Sequence, residues 1–215
     1  QNQKNIHSIS YLEAQTIIQK IANFLINNSI KKNEILEYTT QRAEINNRVA
    51  IISQTRAEWA LADIAIAAAE YTSVSVFQTL TAEEIAYLLW DSDSTIVFAE
   101  NEEQLAKLQQ IDGKEIEVPK VEWSNSTSAT INLDIVITFE KIDNNELISH
   151  FQNRLFYWGD LVNSSQNADQ NLPKTSIQNL VSSIVYTSGT TDAPKGVVQL
   201  HSNHIEMCRS VVRSG

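Results

Sequence analysis

Cysteine, proline and glycine are all scarce in this chain, at 1, 3 and 5 positions in 215 residues. The lone Cys208 excludes an internal disulfide framework and fits a reducing compartment, so a cytoplasmic location is expected. With glycine below the roughly 7% of an average protein, turns must rely on Asn, Asp and Ser. Positive charge is also short. Sixteen Lys and Arg face 26 Asp and Glu, a formal net charge of −10, and Lys31-Lys32 is too brief for the basic stripe that a general nucleic-acid binder shows. Long apolar runs are missing too. The longest, Trp59 to Ala69, is interrupted by Asp63 and falls short of the roughly 20 residues that a bilayer span needs. There is no secretory signal at the start, no internal repeat, and no low-complexity tract beyond the amide-rich Asn167 to Asn171. The chain opens with Gln1 and stops at Gly215 inside an expected helix, so we read it as a piece of a longer protein.

What is present is ample for a core: 42% of the residues are apolar, enough for one domain or two small ones. From Ser10, the residues Leu12, Ile17, Ile18, Ile21 and Leu25 recur at helical spacing, and Asn27-Asn28-Ser29 is placed to stop the helix. Lys31 to Asn47 reads as a polar connection with room for one helical turn. The rhythm then changes. Arg48 to Ser53, Ser73 to Phe77 and Thr95 to Ala99 are short runs rich in β-branched residues. They alternate with helical stretches at Ala57 to Glu70, Ala82 to Trp90 and Glu102 to Gln110, the second opened by a Thr81-x-x-Glu84 capping box. Strands apolar on both faces, alternating with helices, predict an α/β class: a parallel sheet of βαβ units with flanking helices. Further on, Glu115 to Trp123 and Ile131 to Phe139 read as strands around a Ser124 to Thr130 loop. Asn144 to Trp158 reads as one helix with Leu147, Phe151, Leu155 and Trp158 on a core-facing side, and Ser164 to Ser176 as a linker.

The richest chemistry lies in Tyr186-Thr187-Ser188-Gly189-Thr190-Thr191-Asp192-Ala193-Pro194-Lys195-Gly196, which follows the apolar strand Ser183-Ile184-Val185 and precedes a strand at Val197-Val198 and a helix from His201 to Val212. Consecutive hydroxyl and glycine positions let N–H and O–H groups converge on anionic oxygens, and Lys195 adds a point charge. The Walker pattern is excluded, because it needs glycine before the lysine and Ser or Thr after it.

The stretch resembles the signature of the adenylate-forming superfamily, the acyl-CoA synthetases, peptide-synthetase adenylation domains and luciferases, whose loop runs Tyr-Thr-Ser-Gly-Thr-Thr-Gly-x-Pro-Lys-Gly. Arg48 to Trp59, with its strand leading into Arg56-x-Glu58-Trp59, and Thr79 to Leu89 are similar to the long-chain fatty-acid-CoA ligase branch. Asp91-Ser92, Val97-Phe98 and Glu102 to Leu105 continue the match in order. The resemblance implies that residues 1–215 are a partial N-terminal domain of an AMP-forming synthetase, with the C-terminal domain absent. The parent would activate a fatty acid with ATP and Mg²⁺ to an acyl-adenylate and transfer the acyl group to coenzyme A, with room for peripheral membrane association. It also implies that Thr187, Ser188, Gly189, Thr190, Thr191, Lys195 and Gly196 contact the triphosphate, with Lys195 as the catalytic charge and Pro194 setting the turn. The fragment alone is expected to be inactive.

Some residues depart from the pattern. Asp192 replaces a glycine, and a carboxylate about 4 Å from a phosphate would be repelled by about 4 kcal/mol at an effective dielectric near 20. It can instead face solvent in a left-handed conformation or help hold Mg²⁺. Leu200 stands where Thr or Ser is usual, a change expected to bear on the active site, and Glu70-Tyr71 and Gln78 replace expected glycines and a proline. A non-catalytic binding module and an amino-acid adenylation domain or luciferase-like enzyme remain the alternatives. Elsewhere, His201, His204 and Cys208 share a helix face but lack a fourth metal ligand, and His201 is expected to pack against the end of the loop. His7 and His150 are expected to face solvent. Asp91 and Asp93 read as a solvated pair, and Arg56, Glu58 and Trp59 as a turn closed by a salt bridge and a buried indole.

Overall fold

The computed structural model describes residues 8–30, 33–37, 42–118, 127–165, 172–173, 179–187 and 193–214. Its centre is a seven-stranded sheet built by repeated strand–helix units. β3 (Arg48–Ile52) leads through α2 (Ala57–Ala68) to β4 (Thr72–Val76), then through α3 (Ala82–Asp91) to β5 (Ser94–Ala99). α4 (Glu102–Ile111) leads on towards β8 (Ile135–Thr138), α5 (Asn145–Phe151) to β9 (Leu155–Tyr157), and α6 (Trp158–Asn163) follows β9 directly. The sheet is completed by β10 (Val181–Thr187) and β11 (Lys195–Leu200), after which α7 (His201–Ser214) begins. The strand order is β11-β10-β4-β3-β5-β8-β9, with every pairing parallel except β10 with β11.

Alternation along the strands feeds two cores. Ala50, Ile52, Val74, Val76, Val97 and Val136 point to one face, where α3, α4 and α5 cover them. Val49, Ile51, Ile96, Phe98, Ile135 and Ile137 point to the other, beneath α1 (Tyr11–Asn28), α2 and α6. All five residues of β3 are buried, as a strand covered on both faces requires. The expected α/β class and the parallel sheet are therefore present, as is the expected capping box of Thr81 with Glu84 that opens α3; a second box, Ser10 with Glu13, opens α1.

Three segments differ from the sequence-based expectation. The stretch read as a polar connection holds an antiparallel ribbon, β1 (Asn33–Glu37) paired with β2 (Arg42–Asn46), and Ile45 reaches the core. Within the expected loop Ser124 to Thr130 lies β7 (Ser128–Thr130), which pairs with β6 (Glu115–Glu117). The single helix expected from Asn144 to Trp158 breaks at Gln152, whose φ of +46° ends α5, and the chain turns into β9. Leu147, Phe151 and Leu155 therefore pack on one face of the sheet while Trp158 packs on the other, edge-on to Phe139 at 5.4 Å. Most of the expected linker Ser164 to Ser176 lies outside the described residues. Among the described residues, no helix is long and apolar enough to cross a membrane.

Candidate functional site

The expected phosphate segment joins β10 to β11, and the hairpin they form lies at one flank of the sheet. Antiparallel register pairs Tyr186 with Gly196 and Thr187 with Lys195, so Thr187 and Lys195 face each other at its mouth. Directly opposed residues of such a pair lie about 4.5–5.5 Å apart. Both are exposed. Parallel pairing of β10 with β4 ends at Val185 and Ser75, so Tyr186 and Thr187 continue beyond the parallel sheet. Of the residues expected to contact a triphosphate, Thr187, Lys195 and Gly196 are thus together at the carboxyl end of β10. Ser188, Gly189, Thr190 and Thr191 lie outside the described residues, and so does Asp192.

Gly196 has a packing reason to be glycine. A Cβ there would lie 2.8 Å from Ile184 Cγ2 and 3.3 Å from Tyr186 Cζ, because the tyrosine ring lies across the neighbouring strand. That ring ends on α3: the Tyr186 hydroxyl donates to Asp91 Oδ2 at 2.7 Å. One turn earlier on α3, the Tyr87 hydroxyl donates to the Pro194 carbonyl at 2.9 Å. Burial raises the Tyr186 hydroxyl far above the ordinary phenol range, and the hydrogen bond and charge of Asp91 push it further. Burial also raises the Asp91 carboxyl, with the Tyr186 hydrogen bond opposing it in part.

Beside the hairpin, a cleft of about 380 Å³ opens at the carboxyl ends of β3, β4 and β10, the position at which open α/β sheets hold ligands. Trp59, Phe77, Val185 and Tyr186 give it an apolar wall, and Gln54, Ser75 and Gln78 contribute polar groups. Two of the polar residues are held from behind. The buried Glu100 carboxylate accepts from the Gln54 amide N–H at 2.9 Å and from its side chain at 2.7 Å, and Lys107 Nζ donates to the Gln78 carbonyl at 2.6 Å. At its edge, Arg56 bridges Glu58 at 2.8 Å and Glu140 at 2.9 Å, with Glu100 at 3.6 Å. The expected salt bridge at this turn is present; the indole of Trp59, however, is only half-buried and lines the cleft.

Other expected placements are corrected. Asp91 is half-buried against the Tyr186 hydroxyl and not solvated as expected, whereas Asp93 is exposed and forms an ion pair with Arg48 at 3.3 Å. His150 does not stand free in solvent but meets Asp112 at 2.9 Å; His7 lies outside the described residues. Leu200 is the register partner of Val181, at the opposite end of β11 from the loop, and His201 follows it there. His201 therefore does not pack against the loop's end, and Leu200 bears on the start of α7, where its N–H donates to Asn203 Oδ1 at 2.7 Å. Among the described residues, no three His, Cys, Asp or Glu side chains cluster as a metal site. Residues that sequence reasoning did not single out for the site are Tyr87, Gln54 and Phe77. No signal in the sequence marks Tyr87, whose partner Pro194 lies 107 positions away.

A mostly parallel sheet of this order, covered on both faces and with a hydroxyl-bearing hairpin at its flank, defines the class: an α/β fold with a cleft at the carboxyl ends of its strands. Residues 3–214 match the sequence profile of the AMP-binding enzyme family, and the chain belongs to that family. It is similar to the long-chain-fatty-acid–CoA ligase FadD15 of Mycobacterium bovis, 29% identical over 160 residues, 74% of this chain but 23% of that protein. A second relative, the long-chain-fatty-acid–CoA ligase ACSBG2 of Xenopus laevis, is 26% identical over 163 residues, 72% of this chain and 19% of its own. The chain thus spans a minor part of these relatives' length. Among solved structures, the anthranilate CoA ligase AuaEII in complex with anthranoyl-AMP shares the fold, with a TM-score of 0.69 at 16% identity over 94% of this chain and 32% of that one.

Proposed function

We propose that this chain supplies the triphosphate-holding part of an AMP-forming fatty-acid–CoA ligase, and that the remaining groups needed for catalysis lie outside residues 1–215. The observation that carries the reading is the pairing of Thr187 with Lys195 at the mouth of a hairpin beside a cleft, within a chain of the AMP-binding enzyme family. Formation of an acyl-adenylate needs charge neutralised on the departing pyrophosphate and an in-line approach of a carboxylate to the α-phosphorus. Thr187, Ser188, Gly189, Thr190, Thr191 and Gly196 would offer hydroxyl and backbone N–H donors to phosphate oxygens, and Lys195 would supply the countercharge. Mg²⁺ keeps several waters and is bound through one or two carboxylates together with substrate phosphates. Among the side chains of the described site residues only the Thr187 hydroxyl could ligate it, since the Lys195 ammonium has no lone pair, so these residues by themselves do not fit Mg²⁺, and we assign it no step. The fatty-acid assignment rests on the two relatives named above.

The test is ATP–pyrophosphate exchange by the full-length protein in the presence of fatty acids. Fatty-acid-dependent exchange is expected, and Lys195→Ala should lower it about 100-fold, the scale for removing one group that stabilises developing charge. No exchange with any carboxylic acid, or unchanged exchange in Lys195→Ala, would overturn the reading in favour of a non-catalytic module. The 215-residue chain by itself should release no pyrophosphate.

A further inference from the structure

We propose that Tyr87 and Asp91 are positioning residues for the nucleotide loop, two struts from one face of α3 that set where the ends of the β10–β11 hairpin stand. The inference rests on the ATP-binding reading above and adds to it residues of a helix otherwise occupied with the core. Three observations converge on it. The end of the hairpin projects past the last β10–β4 pair, so neither Tyr186 nor Thr187 has a β4 partner to hold it. α3 reaches that projecting part twice, through Tyr87 to the Pro194 carbonyl at 2.9 Å and through Asp91 to the Tyr186 hydroxyl at 2.7 Å. Finally, the Tyr186 ring can lie across β11 only because Gly196 has no Cβ.

The geometry suits a brace. Residues four apart on a helix are about 5–6 Å apart at Cβ, close to the spacing of paired strands, so consecutive turns of α3 can each hold one strand of the hairpin. The helix is itself fixed by its capping box and by Ile85, Ala86, Leu88 and Leu89 in the core. Tyr87 holds the oxygen of the Pro194–Lys195 peptide, which orients the backbone from which Lys195 departs. Asp91 holds Tyr186, the residue before Thr187. Displacing either end would move Thr187 and Lys195 relative to each other without removing them.

The experiment compares Tyr87→Phe, Asp91→Ala and Asp91→Asn in the full-length protein, with two readouts. The first is steady-state exchange kinetics. Tyr87→Phe and Asp91→Ala should each raise KM for ATP about fivefold with kcat within about twofold, the loss of one hydrogen bond's worth of binding that acts alike on ground and transition states. Asp91→Asn keeps an acceptor for the Tyr186 hydroxyl and should return KM to within about twofold of wild type. The second readout is hydrogen exchange of the peptide from Tyr186 to Gly196 in the nucleotide-free protein, which should quicken in the first two variants and not in the third. A lowered melting temperature with KM and hairpin exchange unchanged would overturn the proposal, because it would mean that the contacts serve the fold alone. If the wild-type protein shows no ATP-dependent exchange, the functional reading fails and hairpin exchange alone decides: quickened exchange supports the struts and unchanged exchange removes them. If Asp91→Ala does not fold, Tyr87→Phe decides in the same way.

Discussion

Asp91 and Asp112 occupy matching positions on neighbouring helices of one face, one the last residue of α3 and turned toward the β10–β11 hairpin, the other the cap that follows α4 and turned toward β8 and β9. A carboxylate at the end of a helix faces the negative pole of the backbone dipoles, so each needs compensation. Asp112 receives it in full: Arg154 at 2.9 Å, His150 at 2.9 Å and the Leu133 N–H at 3.0 Å surround a side chain only 4% exposed. Among the described residues, Asp91 meets no cation, only the Tyr186 phenol. Burial would raise both. At Asp112 the hydrogen bond and charge of Arg154, with help from Leu133 and His150, more than reverse it and hold the carboxyl below its ordinary range; at Asp91 burial prevails. The flank of β8 and β9 is locked by charge, whereas the described contacts between α3 and the hairpin run through two neutral donors, the phenols of Tyr87 and Tyr186. Segments that adjust to ligands are drawn from such less secured parts of a fold.

Breaking the locked flank should have the largest effect. Asp112→Ala leaves Arg154 without its partner and should destabilise the protein by about 2–3 kcal/mol, below the full cost of an orphaned buried charge because Arg154 and His150 retain some water. Urea unfolding at neutral pH would measure it, and a loss under 1 kcal/mol would show that the network is ornamental. Crowding the hairpin comes next. Gly196→Ala places a methyl against Ile184 and the Tyr186 ring, and should cost about 1–2 kcal/mol while loosening Tyr186 from Asp91. Unfolding curves should carry the first effect, and the near-ultraviolet signal of the tyrosines the second.

The smallest effect is a sign rather than a size. Asp112 has a lowered folded-state value, so its contribution is present above the unfolded value near 3.8 and is lost as pH falls through the folded one. Asp91 has a raised folded-state value, so its contribution is fully present below that same unfolded value and is lost as pH rises through the folded one. Asp91→Asn should therefore flatten the decline of stability on the higher-pH side of 3.8, and Asp112→Asn the decline on the acid side. Unfolding midpoints measured from pH 2 to pH 7 would separate them, and identical slopes for the two variants would dissolve the contrast.

The parallel strands were legible because burial on both faces demands continuous apolar, β-branched runs, and Arg48 to Ile52 or Ser94 to Ala99 admit no other reading. The start of α3 was legible because Thr81 stands three residues before Glu84; the same signal at Ser10 and Glu13 was passed over. The segment after Asn144 was not. Leu147, Phe151, Leu155 and Trp158 keep helical spacing, yet pairing of Leu155, Phe156 and Tyr157 with β8 outweighs that local period, and the aromatic pair Phe156-Tyr157 was the neglected sign of a strand. Among the described residues, Glu70, Asp93 and Gln152 take positive φ in place of glycine, and one of these belongs to the Asn, Asp and Ser set that was expected. Of the candidate site, the strand–loop–strand and its lysine could be read directly. The struts could not, because Tyr87 and Pro194 are 107 positions apart and Asp91 and Tyr186 are 95, and nothing in one sequence links them.

Pairing of Thr187 with Lys195 has a consequence for how the intervening residues can change. The hairpin has already brought their ends together, and the entropy of closing a loop grows only with the logarithm of its length, about 0.6 kcal/mol for each doubling. Lengthening that segment would thus barely disturb the stability of the domain. A series of insertions after Thr187 should leave the melting temperature nearly level, so any limit on its length would have to come from activity and not from the stability of the fold.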